Sequence, residues 1–173
     1  DLRVGALLFC NDYRHPAVLA KEAATLDILS EGRFELGMGA GWMTSDYLAA
    51  GIEMDKPSVR IARLEGAIAV VQGLLSDGPC TFEGEHYRID GLSGSPKPVQ
   101  RPVPLLVGGG GRKILELAGR HADIVGLNPK LPNGVIDASA GPDATAEATD
   151  RKIGWIREAA GDRFDQIELH TRI

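Results

Sequence analysis

The sequence predicts an α/β fold built around a parallel sheet, and three observations lead to that prediction. Short, nearly continuous apolar runs alternate with longer stretches in which apolar residues recur at helical spacing. Glycine clusters at 37–41 and 108–111 follow two of the apolar runs. Hydrophobic residues make up 43% of the 173 residues and charged residues 25%, as in ordinary globular domains. Because strands covered on both faces are apolar throughout, we expect these runs to pair in parallel between helices.

The first half of the chain is predicted to contain two strands, each followed by a helix. Pro16 suits a first helical turn, and Gly32 suits the residue that follows a helix C-terminus. The predicted elements are a strand at Val4–Cys10, a helix at Ala17–Leu29, a strand at Phe34–Met38, a loop at Trp42–Pro57 and a helix at Ser58–Leu75.

The second half interrupts this alternation once and then resumes it. Residues 77–104 are predicted to form an insertion, with a small hairpin at Thr81–Ile89 and a proline-rich connector after it. The loop at Asn128–Ala144 is rich in Pro, Gly and Asn. The other predicted elements are strands at Leu105–Val107, Asp123–Leu127 and Ile167–Ile173, and helices at Arg112–His121 and Thr145–Ala160.

Five parallel strands joined mainly by helical crossovers fit either a doubly wound sheet or a barrel, and periodicity does not choose between them. We treat residues 1–173 as a single domain. A complete (β/α)8 TIM barrel has about 250 residues. The chain therefore fits an incomplete barrel, with roughly two strands expected before Asp1 and one after Ile173.

Composition excludes several classes of function. The net charge of −5 and the dispersed Lys and Arg residues argue against nucleic-acid binding, which needs a basic face. No apolar run approaches the length of a membrane helix, so no membrane association is expected. Cys10 and Cys80 are too few for a disulfide scaffold and predict a reducing cytoplasm. Neither belongs to a Cys/His set with metal-ligand spacing, so no metal site is predicted.

The strongest candidate for a ligand site is the glycine run at the end of the third predicted apolar strand. Gly108, Gly109, Gly110 and Gly111 lack the Cβ atoms that would keep a ligand from the backbone. The helix behind them offers unpaired N–H groups and a positive dipole end, which together bind phosphate, and Arg112 adds a charge. A tight turn without a ligand is the alternative. The run is neither a P-loop nor a clean GxGxxG, so NTP and Rossmann-type NAD binding are weaker hypotheses.

Two further candidate segments follow the first two strands. The glycines before Trp42 would let a flat ring lie close to the backbone, with the indole as a wall; a plain glycine turn with Trp42 in the core is equally compatible. After the first strand, Asn11 and Asp12 lie closest to the strand end and are expected to face a pocket. His15 precedes a helix proline, where capping or packing is the favoured interpretation over general acid–base catalysis.

The other polar residues are given structural interpretations. His86 and Tyr87, in the predicted hairpin, are expected on a solvated surface rather than at the rim of a substrate cleft. His121 suits a helix C-terminus. The charges Arg60, Arg63 and Glu65 are expected to mark a solvated helix face or a subunit contact.

Three segments together resemble the luciferase-like monooxygenase superfamily and, more narrowly, its actinobacterial branch of coenzyme F420-dependent oxidoreductases. They cover nearly the whole chain, the loop at 132–143 being least typical. They are His15–Trp42 with its LDILSEGRFELGMGAGW stretch, the connector and glycine run at Pro96–Gly111, and Leu117–Val125 with the sequence LAGRHADIV.

The resemblance implies a (β/α)8 barrel that binds F420 or FMN at the carboxyl ends of its strands. It also implies a non-proline cis peptide at or next to Ala6–Leu7, lying against the cofactor ring. The phosphate cradle corresponds to Gly108–Gly111, and a polar cofactor contact falls near Ser45. The family's flanking catalytic groups come largely from strands expected before Asp1, so the catalytic acid or base stays unassigned.

Three functions remain open at this point. The first is hydride transfer between reduced F420 and a small organic substrate. The second is FMN-dependent monooxygenation on the same fold. The third is an inactive fragment, because five strands leave sheet edges open. The resemblance further implies that a full-length parent would be a homodimer.

Overall fold

The computed structural model describes residues 2–131 and 134–171. Two units can be distinguished, one from residues 1–40 and 57–105 and the other from residues 41–56 and 106–173. In chain order the elements are β1 (Val4–Gly5), β2 (Phe9–Cys10), α1 (Pro16–Leu29), β3 (Phe34–Gly39), α2 (Thr44–Ala50), α3 (Pro57–Leu75), β4 (Pro79–Glu83), β5 (Arg88–Ser93), β6 (Leu105–Gly109), α4 (Arg112–His121), β7 (Ile124–Leu127), α5 (Ala146–Ala160) and β8 (Glu168–Thr171).

The first apolar run is not one continuous strand, so that prediction is wrong. Two short strands, β1 and β2, both pair in parallel with β3, and the chain between them leaves the ladder. The peptide bond Leu7–Leu8 in this break is cis. It lies next to Ala6–Leu7, where the family resemblance placed such a bond.

The expectation that this run is buried on both faces is also wrong. Val4 and Leu7 are each 44% exposed, whereas Leu36 in the middle of β3 is 2% exposed. Among the described residues of this unit, β1 and β2 have a strand neighbour only in β3. Val4 and Leu7 therefore belong to an apolar surface that the described residues of this unit leave partly exposed.

Helices α1 and α3 pack against each other and form the main apolar layer of the first unit. Ala23 of α1 and Leu64 and Ile68 of α3 are buried to within 1% of full burial. Asp27 of α1, also fully buried, accepts hydrogen bonds from the backbone N–H groups of Val99 and Gln100 at 2.7 and 2.8 Å. The carboxylate thereby holds the proline-rich connector against the helix.

The predicted insertion contains an antiparallel hairpin, β4 and β5, which lies along α3. A Cβ added at Gly73 of α3 would lie 2.6 Å from the Cys80 sulfur, so the helix and the hairpin are in close contact. The hairpin extends farther than the predicted Thr81–Ile89 at both ends.

In the second unit β6, β7 and β8 pair in parallel, with Val107 opposite Val125 and Val125 opposite Leu169. Helices α4 and α5 pack closely, because a Cβ at Gly119 would lie 2.7 Å from the Ile156 carbonyl oxygen. The strands and helices predicted here are found within one or two residues, although the last two residues of the predicted final strand lie outside the described residues.

The predicted loop at Trp42–Pro57 contains a helix that the sequence did not reveal, α2. Tyr47 is its single buried residue, 1% exposed, and Gly51 ends it in a left-handed conformation. The two-turn helix is too short for periodicity to identify, since one apolar anchor gives no repeat. Across the described part of the chain, no helix is long and apolar enough to cross a membrane.

Candidate functional site

The four glycines at the end of β6 do not share one role. A Cβ at Gly109 would lie 2.4 Å from a side-chain carbon of Ile114, and one at Gly110 would lie 2.5 Å from the backbone of Pro129 and Lys130. At Gly111 a Cβ would meet nothing within 4 Å. Close packing therefore explains Gly109 and Gly110, whereas Gly111 faces open space.

Gly111 is also the N-cap of α4, with an extended backbone at φ −94° and ψ 155°. No side-chain hydrogen bond caps this helix start. Helix α4 therefore begins with N–H groups that no capping side chain satisfies, next to a residue with free volume. An anion such as a phosphate fits that combination of donors, positive dipole end and space.

Arg112, the first residue of α4, engages carboxylates. Its guanidinium lies 2.6 Å from Glu116 and 3.5 Å from Glu158, and its side chain is 57% exposed. The Glu116 hydrogen bond raises the pKa of Arg112 further above its usual value. A phosphate contact from Arg112 would therefore compete with these two ion pairs, and that predicted role stays a prediction.

The loop after β7 approaches both predicted segments of the second unit. The backbone of Pro129 and Lys130 abuts Gly110, while a Cβ at Gly134 would lie 2.4 Å from the Thr44 hydroxyl and 2.8 Å from the Trp42 carbonyl oxygen. Through this loop the structure connects the glycine run with the start of α2.

Trp42 and Ser45 lie at that helix start and are accessible. Trp42 is 39% exposed, so the alternative in which it is packed in the core does not hold. Ser45 is exposed in the first turn of α2, with its hydroxyl 3.5 Å from the Asp46 carboxylate. Both side chains have the access to solvent that a cofactor contact requires, and their binding role stays a prediction.

In the first unit, Ala6 and Leu7 lie in the break between β1 and β2. Gly37 of β3 packs directly against this segment, since a Cβ there would lie 2.0 Å from the Ala6 carbonyl oxygen. The hypothesis that this glycine opens the backbone for a flat ring is therefore corrected, because the space is filled by the chain itself. Only Gly41 in this motif has a positive φ, 75°, as a turn requires.

Asn11 follows β2 and is 2% exposed. Its amide nitrogen donates a hydrogen bond to the Tyr87 hydroxyl at 3.1 Å. Its carbonyl oxygen Oδ1 is buried and has no hydrogen-bond partner among the described residues. A buried acceptor without a donor is unusual in a folded protein, so this oxygen is a candidate acceptor for a bound group.

Tyr87 corrects the prediction of a solvated hairpin surface. It is half-buried, its ring centroid lies 5.5 Å from that of His15 in an edge-on arrangement, and it reaches Asn11 from 76 residues away. Burial raises the pKa of the Tyr87 phenol above its usual 10.0, although the Asn11 hydrogen bond and Arg63 act in the opposite direction. The sequence carried no signal of this contact, because it depends on tertiary packing alone.

The neighbouring polar residues are held in place by specific contacts. Asp12, with a side chain 2% exposed, pairs with Arg63 at 2.9 Å. Arg60 is 7% exposed and donates to the Ala40 carbonyl oxygen, so the expectation that it lies on a solvated face is wrong. A subunit contact near Arg63 and Glu65 stays a prediction. His15 caps α1 by accepting from the Ala17 N–H at 3.2 Å, which confirms its structural interpretation.

Each unit, taken by itself, contains one feature that suits part of a phosphate-bearing ring cofactor. The uncapped start of α4 beside the open Gly111 suits an anion, and the orphaned Oδ1 of Asn11 suits a ring N–H donor. Ala6, Leu7 and Asn11 belong to the first unit. The second unit contains the other predicted site residues, Trp42, Ser45, Gly108–Gly111 and Arg112.

Comparison with known proteins gives a consistent result. The sequence model of the luciferase-like monooxygenase family matches residues 1–160. An F420-dependent glucose-6-phosphate dehydrogenase from Nakamurella multipartita is 32% identical over 157 residues, which are 89% of this chain and 42% of that protein. An FMNH(2)-dependent dimethylsulfone monooxygenase from Pseudomonas fluorescens is 33% identical over 120 residues, 69% of this chain and 33% of that protein.

Solved structures agree on the fold. An F420-dependent secondary alcohol dehydrogenase in complex with an F420-acetone adduct superposes with a TM-score of 0.77 at 26% identity, covering 98% of this chain and 48% of that one. The chain thus spans less than half the length of these relatives. The predicted fold class, part of a luciferase-like α/β barrel with about five parallel strands, is confirmed.

Proposed function

The chain belongs to the luciferase-like monooxygenase family, and we propose that it forms the cofactor-binding portion of a flavin- or deazaflavin-dependent oxidoreductase. The observation that carries this proposal is the start of α4, where Gly111 lies in open space before a helix without a side-chain cap. That arrangement suits the phosphate that FMN and F420 have in common.

We propose hydride transfer between reduced F420 and a small organic substrate as the reaction. The F420-dependent dehydrogenases among the relatives and the solved structures support it. FMN-dependent monooxygenation is the second candidate, supported by the dimethylsulfone monooxygenase relative. A homodimeric parent protein is part of the same proposal.

The residues of this chain would bind and orient the cofactor. The first N–H groups of α4 and the backbone of Gly108–Gly111 would hold the phosphate, and Arg112 would contribute charge after releasing Glu116 or Glu158. In the first unit, Ala6, Leu7 and Asn11 would contact a flavin-type ring. In the second unit, Trp42 would exclude water and Ser45 would add a polar contact. The bound ring itself supplies the redox chemistry. No residue of this chain is assigned as catalytic acid or base, so the function proposed for the chain itself is cofactor binding.

Equilibrium binding tests the proposal and separates its two versions. The purified chain would be titrated with F420 and FMN, and with their phosphate-free counterparts, the deazaflavin alcohol and riboflavin, while the absorbance and fluorescence of the ring are followed. We expect both phosphate-bearing forms to bind about tenfold more tightly than the phosphate-free forms, and F420 more tightly than FMN. Tight FMN binding without F420 binding would favour the monooxygenase version. Failure to bind any of the four would refute the proposal.

A further inference from the structure

Asn11 presents the one buried side-chain polar atom, among the described residues, that has no hydrogen-bond partner. The residue is 2% exposed, so bulk water does not satisfy its Oδ1. Asparagine offers two donors and an acceptor, and burying the acceptor unpaired is unfavourable. Oδ1 is therefore available to a donor other than the described residues.

The side-chain amide of Asn11 is held by a contact with a residue 76 positions away in the sequence. Its nitrogen donates to the Tyr87 hydroxyl at 3.1 Å, and Tyr87 belongs to the hairpin insertion. The ring of Tyr87 lies at 88° to the His15 ring and 3.4 Å from the position of a Cβ on Gly66. Helix α1, helix α3 and the hairpin together fix the ring, and the ring fixes the amide.

The polar neighbours of Asn11 leave Oδ1 without a donor. The Asp12 carboxylate only accepts, and it is already paired with Arg63. His15 uses Nδ1 as an acceptor for the Ala17 N–H. The Tyr87 hydroxyl oxygen accepts the Asn11 amide N–H, so in this contact Tyr87 does not donate to Oδ1. A ligand that donates an N–H is thus the complement of this environment.

We propose that Asn11 Oδ1 accepts a hydrogen bond from the imide N–H on the pyrimidinedione edge of the ring, and that Tyr87 is the positioning residue that holds the amide in the accepting orientation. This inference rests on the proposed function, because it concerns how the same cofactor is recognised. Flavins and deazaflavins both have this N–H, so the contact would select for the ring edge without distinguishing F420 from FMN.

The test compares FMN with N3-methyl-FMN, in which the donor proton is replaced by a methyl group. Dissociation constants would be measured by quenching of the ring fluorescence, so that no turnover is needed. The wild-type chain should bind N3-methyl-FMN about tenfold more weakly than FMN. Asn11→Leu should lose this ratio, whereas Asn11→Asp, which keeps accepting oxygens, should retain it. Thermal unfolding would verify that each variant is folded.

Tyr87→Phe tests the positioning role. It keeps the ring packing but removes the hydroxyl, so the ratio between the two ligands should shrink about threefold or more while the melting temperature changes little. His86→Gln, in the same hairpin, should leave the ratio unchanged. A Tyr87→Phe variant with the wild-type ratio would refute the positioning role.

Two outcomes overturn the inference as a whole, and they differ in what they say about the proposed function. If wild-type protein binds FMN and N3-methyl-FMN equally, Oδ1 faces a buried water molecule or the chain, and the inference fails while the proposed function stands. If neither FMN nor F420 binds at all, both fail together.

Discussion

Gly37 and Gly111 both belong to glycine motifs proposed as ligand sites, but their surroundings in the structure are opposite. Gly37 follows Leu36 inside β3, and Gly111 is the last residue of the glycine run that begins in β6. A Cβ added at Gly37 would lie 2.0 Å from the Ala6 carbonyl oxygen, whereas a Cβ added at Gly111 would meet no atom within 4 Å. The first glycine permits two chain segments to touch, whereas the second leaves room for a ligand.

This difference makes Gly37→Ala a strong test of packing. A methyl group at 2.0 Å from a backbone oxygen forces the ladder between β3 and the β1–β2 segment apart, so we expect a loss of about 2–4 kcal/mol in the free energy of unfolding. The control is Gly154→Ala in the middle of α5, where a Cβ meets nothing within 4 Å and should stabilise the helix by up to about 1 kcal/mol. Urea unfolding followed by circular dichroism measures both, and equal effects would contradict the packing argument.

The strand-end positions of the candidate residues were predictable from the sequence, whereas their binding role stays a prediction. Asn11 and the glycine run lie at strand ends, and position along the strand was enough to select them. Tyr87 was not predictable, because its role depends on a contact with Asn11 made across 76 residues by the packing of the hairpin on α3. No local pattern distinguishes a tyrosine that makes such a contact from one on a solvated surface.

At the scale of elements, the loop between β7 and α5 is fixed by one buried cation. Lys152 of α5 is 2% exposed, and its Nζ donates to the carbonyl oxygens of Asn128 and Asp143, both at 2.9 Å. The same nitrogen lies 2.6 Å from the Asp143 carboxylate. One side chain thus ties both ends of the loop to the helix.

Replacing this cation should free the loop. Lys152→Met leaves a partly exposed carboxylate and two carbonyl oxygens without the buried ammonium that they share. We therefore expect a loss of about 2 kcal/mol and faster hydrogen exchange at the Lys130 amide, which donates to Asp143 at 2.6 Å. Arg151→Met is the matched control, since Arg151 contacts the same carboxylate at 3.3 Å but is 53% exposed. It should cost less than about 1 kcal/mol. Comparable losses in the two variants would refute the role of burial.

The pKa of Asp143 predicts how the loop responds to acid. Burial raises the pKa of Asp143, but hydrogen bonds from Lys152 and from the Lys130 backbone N–H outweigh it and hold the pKa below the ordinary 3.8. A carboxyl whose pKa is lowered by folding stabilises the protein above its unfolded pKa, and this contribution disappears as pH falls through the folded pKa. We therefore expect the Lys130 amide to stay protected down to about pH 4 and to lose protection below it. Asp143→Asn should abolish this pH dependence, and a wild-type-like profile in that variant would contradict the assignment.

Element positions were predictable where apolar periodicity is long, as in α3 and α5. The prediction failed at Val4–Cys10, because an apolar run does not reveal that the backbone leaves the ladder between β1 and β2. It failed again at α2, where Tyr47 is a single buried anchor. Both failures concern short segments whose geometry is set by neighbours rather than by their own sequence.

At the scale of the whole molecule, the fold class followed from the alternation of strands and helices, while the family followed from the joint occurrence of three segments. Neither depended on knowing the ligand. Ligand binding changes the stability of the whole chain. A ligand that binds only the folded state raises the free energy of unfolding by an amount set by its concentration and affinity.

This linkage gives a test of the phosphate site in which stability and binding should change in opposite directions. Gly111→Asp places a carboxylate at the N-cap of α4, where it should cap the helix and favour its dipole, adding about 0.5 kcal/mol in the absence of ligand. The same carboxylate occupies the space proposed for the phosphate and repels it. FMN or F420 at 100 times its wild-type dissociation constant should add about 2.7 kcal/mol to the wild-type chain. It should add far less to the variant.

Two controls are needed. The first separates the effect of the charge introduced by Gly111→Asp from that of helix capping, and the second separates phosphate binding from ring binding. Gly111→Ser caps the helix without a charge, so it should keep most of the stabilisation by FMN. Riboflavin, which lacks the phosphate, should stabilise wild type and Gly111→Asp equally at the same concentration. If FMN stabilised Gly111→Asp as much as wild type, the phosphate would bind elsewhere. The open space at Gly111 would then belong to the turn alone.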